Sequence, residues 1–364
     1  MGLLLAGELH RRGIDTELVE RRPATGGGSR AIGVHSPVLA ALEASGVTDR
    51  LLASAMRVNR GEARSGPELL GTVRFDRLRT RFPFVATLPQ SATEAALGHD
   101  GPPVRRGTEV TRIRPIGDRL RVSARGVDDR EARIVVVATG SGGRSVAYRP
   151  EAVRVHAYAD RYLMSDTEVG HDDPTAIVRL NRSGVLESFP LPGARRRYVA
   201  WDSDPSDDRL EAQVERLRRA LDAHGETAAA GRVASASGFR VRRVVVPRMR
   251  RGGLFVIGDG AHEVSPIGGQ GMNLGLLDAA SLAPLLAEWV RLGEAPASAL
   301  TRWERRRVAS ARTAAALASV NTALGRPLGP RGDALRRAAL RAVLTGPTGM
   351  LFAHAYAMGL DRDA

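Results

Sequence analysis

The chain of 364 residues contains no cysteine, which excludes disulfides, thiol redox chemistry, cysteine nucleophiles and cysteine-ligated zinc. It contains no lysine either, so all 54 of its basic Lys-or-Arg positions are arginine. Schiff-base chemistry and a P-loop lysine are excluded with it. No run approaches the roughly 18 apolar residues of a membrane span. The opening Leu3-Leu4-Leu5-Ala6 stretch is broken by Glu8 and is too short for a signal peptide. The expectation is therefore a cytoplasmic protein with no membrane partner. Aromatic residues are few and scattered, three Trp, five Tyr and seven Phe, too sparse for a base-stacking platform. A net charge of +14 would suit nucleic acid if the arginines clustered. They are instead interleaved with Asp and Glu, so no nucleic acid is expected as a partner, and the bias fits a GC-rich coding sequence. What remains, 43% hydrophobic and 26% charged, is the composition of a soluble enzyme-sized chain with ample length for a core.

Along the chain, Gly2 to Arg12 has helical composition and ends at Gly13, while Ile14 to Glu20 reads as a short strand with Ile14, Thr16 and Leu18 on one face. After the Gly26-Gly27-Gly28 loop, Ser36-Pro37 opens a helix, with Ser36 as its cap, that stops at Gly46. Ser91 and Glu94 have capping-box spacing. Residues 104–137 are strand-rich with a turn at Gly117-Asp118. They close on Ile134 to Val137, an apolar run suited to a strand buried on both faces of a parallel sheet. From 151 to 250 the pattern becomes short alternating strands (176–180, 185–189, 197–201 and 240–246) around a polar helix of roughly 206–224. Leu254 to Ile257 is a buried strand, Gly271 to Val290 a long helix, and the tail after Pro296 is helical and arginine-rich. The fold class is α/β with an embedded antiparallel sheet.

The strongest chemical signal runs from Gly258-Asp259-Gly260 through His262, Glu263 and Pro266-Ile267-Gly268-Gly269-Gln270-Gly271 to Met272-Asn273. Physically this is strand, acid, glycine-rich loop, helix N-terminus. The acid is placed to accept a hydrogen bond from a ligand hydroxyl, the glycines let backbone lie flat on a planar group, and the helix dipole favours an electron-rich edge. A structural turn with a buried Asp would explain Gly258-Asp259 alone; it does not explain the ordered stretch.

This stretch resembles the second FAD-binding motif of the FAD-dependent aromatic hydroxylases, single-component flavoprotein monooxygenases with the para-hydroxybenzoate hydroxylase fold, and the resemblance covers most of the chain. It implies a Rossmann-like FAD-binding domain (1–56, 86–150 and 251–295), a substrate-binding sheet domain (57–85 and 151–250) and a C-terminal helical segment (296–364). It implies FAD as cofactor, NAD(P)H as reductant, and transfer of oxygen from O2 to a small aromatic or polyketide-like substrate. By the same resemblance Asp259 binds the ribityl chain, Pro266 lies near the reactive edge, and Gly269, Gln270, Gly271, Met272 and Asn273 present backbone to the isoalloxazine. Glu20, 18 positions after Gly2, has the spacing of the acid that holds an adenosine ribose. Arg30, Gln90 and Val110 match further cofactor positions. No residue is assigned as catalytic acid or base.

Three departures from the family pattern stand out. Position 260 is Gly where Ala is common. Ser141-Gly142-Gly143-Arg144-Ser145 has Ser141 in place of the acid of Asp-Gly-x-x-Ser, which puts reductant use in question. Gly2 matches the last glycine of G-x-G-x-x-G, so the first strand and its phosphate-binding turn are expected to precede Met1, upstream of the chain as given. Other chemistries fare worse. His262-Glu263 lacks the second histidine of a zincin, position 266 being Pro, and no G-x-S-x-G elbow is present. Arg305-Arg306-Arg307 reads as a solvated helix face, and Leu186, Ser188 and Phe189 as the wall of a substrate pocket. The rivals are a non-catalytic relic or small-molecule binder of the same fold, and a flavin-dependent reductase or halogenase. The halogenase is disfavoured by the missing lysine and by Trp201, Trp289 and Trp303 lying far apart.

Overall fold

The computed structural model describes residues 1–26, 31–204, 206–345 and 348–361. Its centre is the helix Gly271–Leu292, whose Leu274, Leu277, Leu282 and Leu286 are buried. Against it lies the helix Gly2–Arg11, which turns Leu4, Leu5 and Leu9 inward. The two helices and the turn at Gly258 meet so tightly that a Cβ on Gly275 would lie 2.9 Å from the Gly258 Cα. Only glycine fits there.

Outside the largest sheet, parallel pairing occurs in two short pieces. Leu18–Glu20 pairs with Val104–Arg106, and Val135–Val137 pairs with Leu254–Val256. Two expectations change here. The strand expected over 14–20 is regular only at Leu18–Glu20, and in the run 134–137 only Val137 is buried while Val135 and Val136 are half-buried. Each strand has a parallel neighbour on one side only, and the pairing spans three residues in each case.

Two helix starts also differ. His35, not Ser36, precedes the helix Ser36–Glu43, and no side chain caps it. In the helix Gln90–Gly98 the Glu94 carboxylate accepts from Gln90 Nε2 at 2.8 Å, so the box with Ser91 is not built.

The largest sheet has eight strands in the order His262–Glu263, Ser237–Val245, His156–Glu168, Arg195–Trp201, Gly184–Leu191, Ala176–Asn181, Arg60–Ser65 and Glu68–Arg74. All neighbours are antiparallel except Ala176–Asn181 beside Arg60–Ser65. One face is covered by the helix Leu210–Ala223, whose Leu217 and Leu221 pack on Leu163, Leu186 and Tyr198. The other face looks into a cavity. Helices Pro330–Thr345 and Thr348–Tyr356 close over the edge strand Glu68–Arg74, where a Cβ on Gly71 would sit 2.3 Å from that of Leu344.

Candidate cofactor and substrate site

The strand Leu254–Val256 runs into a tight turn at Gly258, whose φ of +63° suits glycine. That turn is held from behind. Asp278, fully buried on the central helix, accepts from the Gly258 N–H at 3.0 Å, from His262 Nε2 at 2.6 Å and from Arg307 Nε at 2.8 Å. Arg307 also donates to Asp361 at 2.9 Å and to the Leu274 carbonyl at 3.0 Å. Burial works against a charged Asp278, but His262 and Arg307 outweigh it and hold its carboxyl well below the usual range. Burial likewise works against a charged His262, and the Asp278 carboxylate more than compensates, raising the ring above its ordinary value. The expectation that Arg305, Arg306 and Arg307 form a solvated face is thus corrected at Arg307, which is 0% exposed.

With its backbone held in this way, Asp259 opens onto the cleft. Protein crowds it closely enough that burial raises its carboxyl, an effect His262 counters and Glu263 reinforces. Arg144 clamps the same turn from the neighbouring segment Ser141–Val146. It donates to the carbonyls of Asp259 at 2.7 Å and Gly260 at 3.0 Å and to the Glu263 carboxylate at 3.1 Å.

Beyond Asp259 the chain passes Pro266 and two glycines with positive φ, Gly268 at +101° and Gly269 at +68°, then enters the central helix. No side chain caps that helix, so the N–H groups of its first turn are left for a ligand. Asn273 ties the helix start to the strand Gly33–Val34. Its Oδ1 accepts from the His35 N–H at 2.9 Å, and its Nδ2 donates to the carbonyls of Gly33 and Gly269, both at 2.9 Å. Beside it, burial lowers the His35 ring to about 4.

A cavity of about 340 Å³ lies between this loop and the open face of the eight-stranded sheet. Asp259, Pro266, Gly269, Gly271 and Met272 line it. Gln270 and Asn273 are buried behind the loop and do not line it. Gly2 opens the first helix, where Met1 packs against Gly258, so that helix start sits beside the Asp259 turn. Glu20 ends its strand, and its backbone carbonyl accepts from Thr108 N–H, two residues before Val110. Gln90 begins its helix outside the cavity lining, and Arg30 lies outside the described residues. On the sheet wall one choice of face is corrected. Val185, Glu187 and Phe189 face the cavity, whereas Leu186 packs under the helix Leu210–Ala223 and Ser188 accepts from Arg196 Nε at 2.7 Å. Among the described residues no group of His, Asp and Glu has a metal-holding arrangement, and no helix is long and apolar enough to cross a membrane.

Residues 1–318 match the family described as FAD binding domain. The chain belongs to that family. Among curated proteins, 6-methylpretetramide 4-monooxygenase of Streptomyces rimosus is 31% identical over 350 residues, covering 89% of this chain and 61% of that protein's own length. The chain thus spans about three fifths of that relative's length. Among solved structures, p-nitrophenol 4-monooxygenase of Pseudomonas putida superposes with a TM-score of 0.85 at 20% identity, covering 99% of this chain and 95% of that one. An anhydrotetracycline hydroxylase of Streptomyces rimosus gives 0.77 at 25% identity, covering 99% and 74%. The para-hydroxybenzoate hydroxylase-like fold expected from the motif is the fold observed, and FAD is the family's cofactor.

Proposed function

We propose that this protein is an FAD-dependent monooxygenase that hydroxylates or epoxidises an aromatic or polyketide-like small molecule, with NAD(P)H as reductant and O2 as oxygen source. The observation that carries this reading is the cavity itself. A glycine loop, an accessible carboxylate and an uncapped helix start form one wall, and an apolar sheet face forms the other. These residues fit FAD: Asp259 would accept from ribityl hydroxyls, and the backbone of Gly269 to Asn273 would meet the electron-rich edge of the ring. Gly2, Glu20 and Val110 would serve the adenosine side, with Arg30 and Gln90 as further contacts. When bound, FAD supplies the redox and oxygen-transfer chemistry. The chain's own work is to hold the turn through Asp278 and Arg144 and to place the substrate against the sheet.

The named activities of the relatives support this reading, as does a mostly apolar pocket of ligand size. The test is to purify the protein, record its absorption spectrum, and follow NAD(P)H consumption with polycyclic phenols. The expected result is bound flavin, substrate-stimulated NAD(P)H oxidation and a product one oxygen atom heavier. Failure to take up added FAD would favour the relic reading. Flavin uptake without oxygen insertion would leave a flavoprotein of another reaction.

A further inference from the structure

The sheet wall of the cavity carries one group out of keeping with its surroundings. Across five strands the register sets Met164, Val199, Glu187, Val178 and Ala63 in one row. All five line the cavity. Four are apolar, and the fifth is a carboxylic acid that is 4% exposed and lies at the middle of the row. An ionisable group so placed has to find a partner or give up its charge. Among the described residues no hydrogen bond or ion pair reaches Glu187, whereas Arg197 and Glu62 on the same sheet are engaged; Arg240 and Arg242 also line the cavity, from the strand Ser237–Val245. Arg197 pairs with Asp166 through contacts of 2.6 and 2.7 Å, and Glu62 accepts from Arg64 at 2.8 Å. The residues whose phenols sense the Glu187 charge are Tyr162 and Tyr356, both held neutral by burial.

We propose that Glu187 is the polar anchor of the substrate cavity, its carboxyl holding a hydroxyl of an uncharged polycyclic aromatic molecule. This rests on the monooxygenase reading and narrows its substrate class. A hydroxyl donates to the carboxyl and supplies its missing partner, whereas a carboxylate on the same ring system is repelled once the acid is ionised. Burial lifts Glu187 to about 8, so the acid is neutral at pH 6.5 and ionised at pH 9. The ionised form accepts more strongly from a phenol and repels an anion, which the neutral form does not. His35, the histidine on the cavity lining, stays uncharged over that range.

The test is equilibrium dialysis of the FAD-saturated protein with 2-naphthol, naphthalene and 2-naphthoate at pH 6.5 and 9. Naphthol is expected to bind about tenfold more tightly than naphthalene, the scale of one hydrogen bond to a buried acid. Naphthoate binding should weaken as the pH rises. Glu187→Leu should abolish the preference for naphthol while keeping naphthalene affinity, and Glu187→Gln should remove the pH dependence of naphthoate binding. A preference for naphthol that survives in Glu187→Leu, or a naphthoate pH profile unchanged in Glu187→Gln, overturns the assignment. Flavin content, measured on the same samples, tests the monooxygenase reading separately, because ligand discrimination is read without turnover.

Discussion

Asp278→Asn removes one negative charge from the centre of the molecule while keeping the side chain's shape. In the parent, Oδ1 takes Arg307 Nε, and Oδ2 takes both His262 Nε2 and the Gly258 N–H. An amide has one oxygen and one donor nitrogen, so whichever way it turns, an N–H faces at least one buried donor. Arg307, 0% exposed, still has Asp361 as a carboxylate partner. Breaking a buried pair by neutralising one side costs about 3–5 kcal/mol, a large part of a stability that is commonly about 5–15 kcal/mol. At a urea m-value of about 3 kcal/mol/M, the unfolding midpoint should fall by about 1 M or more.

The same substitution should change the pH dependence. His262 is raised above its ordinary 6.5, so its contribution is fully present below that pH and is lost as pH rises through the elevated folded value. Asp278 is lowered from its ordinary 3.8, so its contribution is present above that pH and is lost only on acidification through the depressed value. Between pH 5.5 and 8.5 the parent should therefore lose stability. Without the carboxylate, burial and the Arg307 charge lower the His262 ring against only the smaller Asp259 effect, and the alkaline loss should disappear. Urea unfolding at both pH values, with excess FAD, measures this. An unchanged midpoint, or an equal pH slope in parent and variant, would refute the reasoning.

Three further outcomes concern the cofactor loop. Asp259→Ala should weaken FAD binding about ten- to a hundredfold, the loss of a charge-assisted hydrogen bond of roughly 1.5–3 kcal/mol, read by flavin titration; full affinity would remove Asp259 from the site. Arg144→Ala frees the carbonyls of Asp259 and Gly260 and should cost about tenfold in FAD affinity, one to two net hydrogen bonds. A melting curve on the same sample shows whether the fold survives, and unchanged affinity in a folded variant would dismiss the clamp. Ser141→Asp should alter the anaerobic rate of flavin reduction by NADH or NADPH in stopped flow, because a carboxylate can pair with a cation where a hydroxyl cannot. Identical rates with both reductants would show that position 141 has no bearing on reduction.

Much of the fold can be read from local pattern, and the misreadings have physical causes. The four short strands placed at 176–180, 185–189, 197–201 and 240–246 lie within strands Ala176–Asn181, Gly184–Leu191, Arg195–Trp201 and, but for its last residue, Ser237–Val245. Each is regular along its length because it is paired with a neighbour on both sides. The longest strand, His156–Glu168, goes unseen because Asp160, Arg161 and Asp166 interrupt its apolar alternation. Their charges are satisfied by Arg326, Asp208 and Arg197, which are remote in sequence, and such pairing leaves no mark on the strand itself.

The candidate site divides along the same line. The cofactor loop is legible because acid, glycines and helix start follow one another within the stretch from Gly258 to Asn273, so local order carries the chemistry. The network behind it brings together His262, Asp278, Arg307 and Asp361 from four separate places, and none of these spacings signals a contact. One clue was available at Arg307. Leu300, Trp303, Arg307, Ala311, Ala314 and Ala318 recur at steps of three, four and seven along one helix and are all buried. An arginine on an apolar stripe needs a buried counter-charge, so the stripe separates it from its exposed neighbours Arg305 and Arg306. Glu187 offers no such clue. Its strand is buried on both faces, so alternation cannot tell which parity faces the ligand and which the supporting helix. Choosing Leu186 and Ser188 is then a one-residue error of face, and it hides the acid that the cavity exposes.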